Sequence, residues 1–434
     1  MSFESLKLKP ELVSALTDLG YKHPTPIQTQ VIPAVLSGKD VIGLAQTGTG
    51  KTAAFVLPIV QSLSLLNRPS ANSSYCLILV PTRELAIQVW ENIKSYSVNV
   101  NLIAECVYGG VKINPQMKRL RSGCDFIVAT PGRLLDLLDR NAIRFDELKY
   151  LVFDEADRML DLGFSQEIDN VLKCVPRKRQ TLLFSATFPN SVKKLSEHLT
   201  QKPLIVQVNP ENKTARTVKQ WIHPVDKKRK TELLHYLIIE NRWDKTLVFV
   251  KTKKGANQLA YDLKKSGIAS NAIHGDKSQN ERTKALAQFK NNELQVLVAT
   301  DVAARGLDIE QLPQVVNYDL PKVAEDYVHR IGRTGRAGQT GQAISLVSAD
   351  EVELLGKIET LTQQLLKRFE IVGFEPAHNL PKTTLKPIKK KKPHKKKLAK
   401  AQAKQNVSQK PVVSNTGRSK PRLSTDKRKK KSKR

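Results

Sequence analysis

The stretch Val41–Ile59, VIGLAQTGTGKTAAFVLPI, decides how the rest of the chain is read. An apolar run stops at Ala45. The segment Gln46, Thr47, Gly48, Thr49, Gly50 then leads into Lys51, Thr52 and a helix-like run. Strand, tight turn and helix in that order predict a parallel α/β unit. Gly48 and Gly50 permit a turn that aims backbone N–H groups at phosphate oxygens. The spacing departs from the phosphate-loop pattern only in carrying Ala45 where the first glycine stands. Lys51 would reach the β- and γ-phosphates of a nucleotide, and Thr52 would bind Mg²⁺. The plain alternative is a glycine-rich turn with no ligand.

A length of 434 residues suits two domains better than one core, and 40% apolar content lets most of the chain fold. The net charge of +31 points to an anionic partner, nucleic acid or an acidic membrane surface. No apolar run approaches the roughly 20 residues of a membrane helix, and the start, MSFESLKLKPE, lacks the apolar core of a secretory signal. Cys76, Cys106, Cys124 and Cys174 show no C-x-x-C spacing, so buried free thiols in a reducing cytosol are expected, with no zinc site and no disulfide framework.

Charge and apolar runs divide the chain. From Pro387 to Arg434, 20 Lys and Arg face one acid, Asp426, a net +19 of the +31. With almost no large apolar residues this tail is expected to be disordered, and runs such as KKKKPHKKK concentrate charge beyond what solubility needs. Upstream, the candidate strands are DVIGLA, YCLILV, DFIVA, YLVF and QTLLF, then TLVFV, NAIH, QVLVA, QVVNY and AISLV. Amphipathic stretches separate them, such as TRELAIQVWENIKSYS with Leu85, Val89 and Ile93 on one face. The pattern predicts two α/β domains whose parallel sheets carry helices on both faces. The boundaries expected are 1–208 and 218–375, a polar linker at 209–217 and a basic tail at 376–434. The segment Asp350–Ile371, with Leu354, Ile358, Leu361 and Leu365 in helical register, is expected to be a packing helix closing the second sheet.

Two further stretches bear on chemistry. YLVFDEAD ends an apolar strand in Asp154, Glu155 and Asp157, which repel one another unless cations compensate. Asp154 is placed to hold Mg²⁺, largely through water, and Glu155 to polarise the water that attacks the γ-phosphate. Alone, such an acidic strand end would be a helix cap. HRIGRTGR places Arg330, Arg333 and Arg336 three residues apart, and arginine planes can neutralise a transferring phosphoryl group. The bland alternative is an exposed basic turn that binds RNA.

The ordered set AQTGTGKT, PTRELA, TPGR, DEAD, SAT, ATDVAARGLDI and HRIGRTGR, preceded by GYKHPTPIQ, resembles the DEAD-box RNA helicases from Phe3 to about Val347, and most of all the bacterial RhlE group. The resemblance implies two tandem RecA-like domains and an RNA-stimulated ATPase that uses ATP and Mg²⁺. Gln28 would read the adenine edge, Tyr21 would stack on the base, and the Ala45–Thr52 loop would hold the phosphates. Asp157, Ser185, Thr187 and Arg305 would couple hydrolysis to strand separation. Asp308 would line the nucleotide side of the second domain, and Arg333 and Arg336 would be arginine fingers. RNA contacts would come from Pro81, Thr82, Arg83, Gly109, Gly110, Thr130, Gly132 and Arg133, and from Thr252, Gly275, Arg282 and Thr300.

Small, hydroxyl and arginine residues suit a sugar–phosphate backbone rather than base edges, so binding without sequence preference is expected. The resulting reading is a cytoplasmic ATP-dependent RNA helicase acting on structured RNA, with ribosomal precursors or RNA-decay machinery as the partners it would meet and no membrane. The rivals are a non-hydrolysing RNA clamp and a DNA-directed motor.

Overall fold

The computed structural model describes residues 2–45, 48–208, 218–304, 309, 312–335 and 341–385. Gln46, Thr47, Arg305, Asp308, Arg336, the 209–217 linker and the basic tail from 386 onward lie outside these residues.

Two seven-stranded sheets, parallel throughout, organise the chain. The first contains β1 (Val41–Leu44), β2 (Ser74–Leu79), β3 (Ala104–Val107), β4 (Cys124–Ala129), β5 (Tyr150–Phe153), β6 (Gln180–Ser185) and β7 (Leu204–Gln207). Their order across the sheet is β3-β4-β2-β5-β6-β1-β7. The second contains β8 (Lys219–Pro224), β9 (Thr246–Val250), β10 (Ser270–Ile273), β11 (Val296–Thr300), β12 (Gln314–Asn317), β13 (Gln342–Val347) and β14 (Lys367–Arg368). Its order, β10-β11-β9-β12-β13-β8-β14, repeats the first strand for strand. In that correspondence β8 matches β1, but it runs out in Pro224 rather than into a glycine-rich loop.

Alternation of side chains builds a core on each face. In the first sheet Ile78, Phe126, Val152 and Phe184 pack one way, and Leu77, Ile127, Leu151 and Leu183 the other. The second sheet repeats this with Val248, Val298 and Val316 against Leu247, Leu297 and Val315. Both faces being apolar explains why these strands read as continuous runs. The expected amphipathic helix spans Arg83–Tyr96 and buries Leu85, Val89 and Ile93.

Three expectations change. The packing helix is Val352–Thr362, not Asp350–Ile371, and Leu355 and Ile358 face the core while Leu361 and Leu365 are exposed. It ends because Gln363 turns left-handed, at φ 53°, and the buried carboxylate of Glu359 accepts the Leu366 N–H at 2.9 Å. The chain is thereby steered into β14. Cys174 is exposed, unlike the buried Cys76, Cys106 and Cys124. Packing of the second lobe also continues past residue 375, since Leu380 is buried in its core and accepts a bond from Arg368 at 2.7 Å. Among the described residues no helix is long and apolar enough to cross a membrane.

Candidate active site

Every candidate residue near a strand lies at its carboxyl end, where parallel α/β sheets bind ligands. In the first sheet the ends of β1, β5 and β6 carry Ala45–Thr52, Asp154–Asp157 and Ser185–Thr187. The ends of β2, β3 and β4 carry Pro81–Arg83, Gly109–Gly110 and Thr130–Arg133. The two sets therefore occupy opposite halves of one sheet edge.

On the first half, Gly50 caps the helix Lys51–Leu63 at φ 88°, a left-handed conformation that glycine adopts without strain. A side chain there would also collide with Gln28. Gln28 is buried: its Oε1 accepts the Thr25 N–H at 2.9 Å and its Nε2 donates to Gly50 O at 3.1 Å. The amide expected to read adenine is thus engaged in bracing the loop. Lys51, 6% exposed, donates from Nζ to Ala45 O at 2.8 Å. Thr52 is half-buried beside it. The ring of Tyr21 is exposed, steadied edge-on by Phe3 and by a 2.9 Å hydroxyl contact to Tyr96.

The three acids divide by environment. Burial pushes the Asp154 carboxyl up from its ordinary range, against the pull of Lys51. Glu155 is raised by burial and by the Asp154 charge, with Lys51 and Arg333 opposing. Glu155 also holds φ 54°, a left-handed position that costs a bulky residue about 1 kcal/mol. Burial would raise Asp157 too, but the bonds from Thr187 and the nearby charges of Lys51 and His329 hold it below its ordinary value. Asp157 Oδ2 accepts from Thr187 N at 2.8 Å and from Thr187 Oγ1 at 2.7 Å. The Asp157 N–H donates to Ser185 Oγ at 3.3 Å, and that hydroxyl donates to Thr187 O at 2.6 Å. This network ties the acidic turn to the end of β6.

The second lobe completes the site. A cavity of about 370 Å³ is lined by Glu155, Asp157 and Thr187 from the first lobe and by His329 and Arg333 from the second. Arg330 does not join them. It is 2% exposed and holds Asp301 bidentately, Nε–Oδ1 2.6 Å and Nη2–Oδ2 2.8 Å, so it is a core residue of its own lobe.

On the other half, Thr82 caps the helix Arg83–Tyr96, and the Arg83 guanidinium lies against Gly110, where a side chain would collide with it. Arg133 is buried and donates to Val111 O at 2.9 Å, bracing the loop after β3. Pro81, Thr130 and Thr300 are buried, while Gly110, Gly132, Thr252 and Gly275 are exposed. Arg282 is turned inward, its Nη2 2.8 Å from Glu84 Oε2, and Gln279 Nε2 donates to Glu84 Oε1 at 3.2 Å. Glu84, Gln279 and His329, which connect the lobes, were missing from the sequence-based set. Glu84 and His329 nevertheless stand inside the quoted PTRELA and HRIGRTGR stretches.

The DEAD/DEAH box helicase model matches residues 25–195, and the helicase conserved C-terminal domain model matches 229–338. The DEAD-box ATP-dependent RNA helicase CshA of Streptococcus pneumoniae is 42% identical over 377 residues, 87% of this chain and 70% of the relative. The ATP-dependent RNA helicase DeaD of Escherichia coli is also 42% identical, over 86% of this chain and 59% of its own. These relatives bear the names CshA and DeaD rather than RhlE. Among solved structures, S. cerevisiae Dbp5 bound to RNA and ADP BeF3 matches with a TM-score of 0.75 and 32% identity, covering 85% of this chain and 95% of that one. With family models over both lobes and these relatives, the chain belongs to the DEAD/DEAH box helicase family.

Proposed function

We propose that the protein is an ATP-dependent RNA helicase in which RNA binding draws the lobes together and ATP hydrolysis releases them. The observation that carries this reading is the shared cavity, with Glu155 and Thr187 on one side and Arg333 on the other. Glu155, raised by burial and by Asp154, is a stronger base than an ordinary carboxylate and is suited to accept a proton from water. Arg333 faces the place where charge would gather on the departing phosphoryl group. Lys51 and the Gly48–Gly50 turn would hold the triphosphate, and Tyr21 would cover the base. Arg336 and Asp308 are proposed for the same side of the second lobe.

Thr52 hydroxyl and Asp154 carboxylate are hard oxygen donors, the type Mg²⁺ takes while keeping several waters. The mutual repulsion of Asp154, Glu155 and Asp157 is what a divalent cation would offset, so these residues fit the ion. Once bound it would neutralise phosphate charge.

The ends of β2, β3 and β4, with those of β9, β10 and β11, would grip the RNA backbone through exposed glycine N–H groups and hydroxyls. Direct contact then falls to Gly110, Gly132, Thr252 and Gly275, with Arg83 beside them. Arg133 and Arg282 support that surface from beneath. The Asp157–Thr187–Ser185 network is proposed to transmit closure to the acidic turn. A cytoplasmic site of action and ribosomal precursors or RNA-decay machinery as partners belong to the same reading.

The test is phosphate release by purified protein with and without polyribonucleotide. Stimulation by RNA, abolished in Glu155→Gln with ATP-dependent RNA binding retained, supports the reading. A rate indifferent to RNA, or normal turnover in Glu155→Gln, overturns it.

A further inference from the structure

The shared cavity has a second arginine on its wall that the reaction above does not use. Arg158 follows the acidic turn, in the helix Ala156–Asp161, and lines the cavity together with Glu155, Thr187 and Arg333. Its Nε and Nη2 are shut off from solvent and have no hydrogen-bond partner. Those two nitrogens form the side-on fork of a guanidinium, the edge that takes an oxyanion through two parallel bonds. Arg330 shows the ordinary outcome, since the same edge is filled by the Asp301 carboxylate. Arg158 is only half-buried as a residue, but among the described residues it is the arginine whose whole fork is shut off and left without a hydrogen bond. The charges of Asp161 and Glu155 favour the guanidinium, but its two donors are removed from water without a hydrogen bond in return, a cost recovered when an oxyanion arrives.

We propose that Arg158 is a binding site for inorganic phosphate, the product of hydrolysis, on its way out of the cavity. This rests on the ATPase reading. To meet an anion that has left the neighbourhood of Glu155, the fork would turn about the terminal side-chain torsions into the adjoining cavity. An RNA phosphate is the less suitable occupant, because the RNA candidates sit at the ends of β2, β3 and β4, on the other half of the sheet edge. Acids share the walls: Glu155, Asp157, Asp161, Glu325 and Asp326, against Arg158, Arg333 and His329. An anion therefore rests only beside an arginine, and rests there briefly.

The experiment measures labelled orthophosphate binding to full-length protein saturated with ADP and RNA, beside single-turnover ATP cleavage and RNA affinity. Arg158→Met is expected to weaken phosphate binding about tenfold or more, as loss of a charge-assisted fork implies. Cleavage and RNA affinity should stay within about twofold of the parent, since neither uses the fork. Arg158→Lys keeps the charge and the packing but not the fork, and should give an intermediate loss if the methionine variant does not fold. Unchanged phosphate binding in either variant overturns the assignment. So does a fall in cleavage like that of Glu155→Gln, which would place Arg158 in the reaction itself, or a fall in RNA affinity, which would make RNA the ligand. The phosphate arm needs no turnover, so it stands apart from failure of the ATPase reading, which the parent protein's cleavage reports.

Discussion

Glu84→Gln tests how the lobes are held together. The carboxylate of Glu84 sits 2.8 Å from Arg282 Nη2 and also accepts from Gln279 at 3.2 Å. Both members of the ion pair are about nine-tenths buried, with side-chain exposures of 9% and 8%. Truncating one partner of a buried, hydrogen-bonded charge pair at an interface costs about 2–5 kcal/mol. Glutamine keeps an oxygen for Gln279 and the shape of the contact, so the lower end applies, about 2 kcal/mol or roughly 30-fold in the closure equilibrium. Fluorescence transfer between dyes on the two lobes, titrated with RNA at saturating nucleotide, reads that equilibrium directly. Half-closure should require roughly 30-fold more RNA, while kcat at saturating RNA changes little, because the pair lies away from the Glu155 cavity. Arg282→Gln should behave alike, and the double variant should be hardly worse than either single one. If the two effects add within about 0.5 kcal/mol, the residues do not act on each other and the reasoning fails.

Three other outcomes follow from the geometry. Gly110→Ala drives a methyl into the Arg83 guanidinium and strains a left-handed position, so RNA affinity should drop several-fold with ATP affinity unchanged; equal RNA binding would show the stacking to be idle. Thr187→Val removes the 2.7 Å bond to Asp157, worth about 1.5–3 kcal/mol for a charged acceptor. Asp157 titrates below its ordinary value in the fold, so its stabilisation is present at neutral pH and is lost as pH falls through that depressed value. Urea melts should therefore separate parent and variant at pH 7 and bring them together as the medium becomes acidic; a gap independent of pH contradicts the assignment. Deleting 387–434 takes away a net +19, so RNA affinity should fall and its salt dependence flatten while kcat holds. A collapse of kcat would put the tail in the catalytic cleft.

The strands buried on both faces were legible because apolar residues run through them unbroken. The four that were missed lack such a run, for different physical reasons. β3 and β7 are edge strands, with Glu105 half-buried and Leu204 and Ile205 exposed, so no continuous run forms. β8 is interior yet carries buried polar groups. Gln220 accepts the Tyr327 hydroxyl at 3.0 Å, and His223 takes the Trp221 indole N–H at 3.0 Å. β14 is two residues long. The site was legible where local motifs carry the chemistry, as at Lys51, Glu155 and Arg333. Burial was not: nothing in TPGR or QNER says that Arg133 and Arg282 point inward. Nor could a linear pattern reveal that Glu84 meets Gln279 and Arg282 across some 200 residues of chain, since that contact belongs to the packing of one lobe on the other.

The twin strand orders, one with a phosphate loop and one ending in Pro224, fix a stoichiometry. On the proposed reading the described residues carry two clamps and a single fuelling port, so each charge of fuel would permit one squeeze and one letting-go. Two ports could fire in alternation and walk along a strand; one cannot keep a foothold while the other resets. Such a device would pry a short helix apart where it lands and then depart.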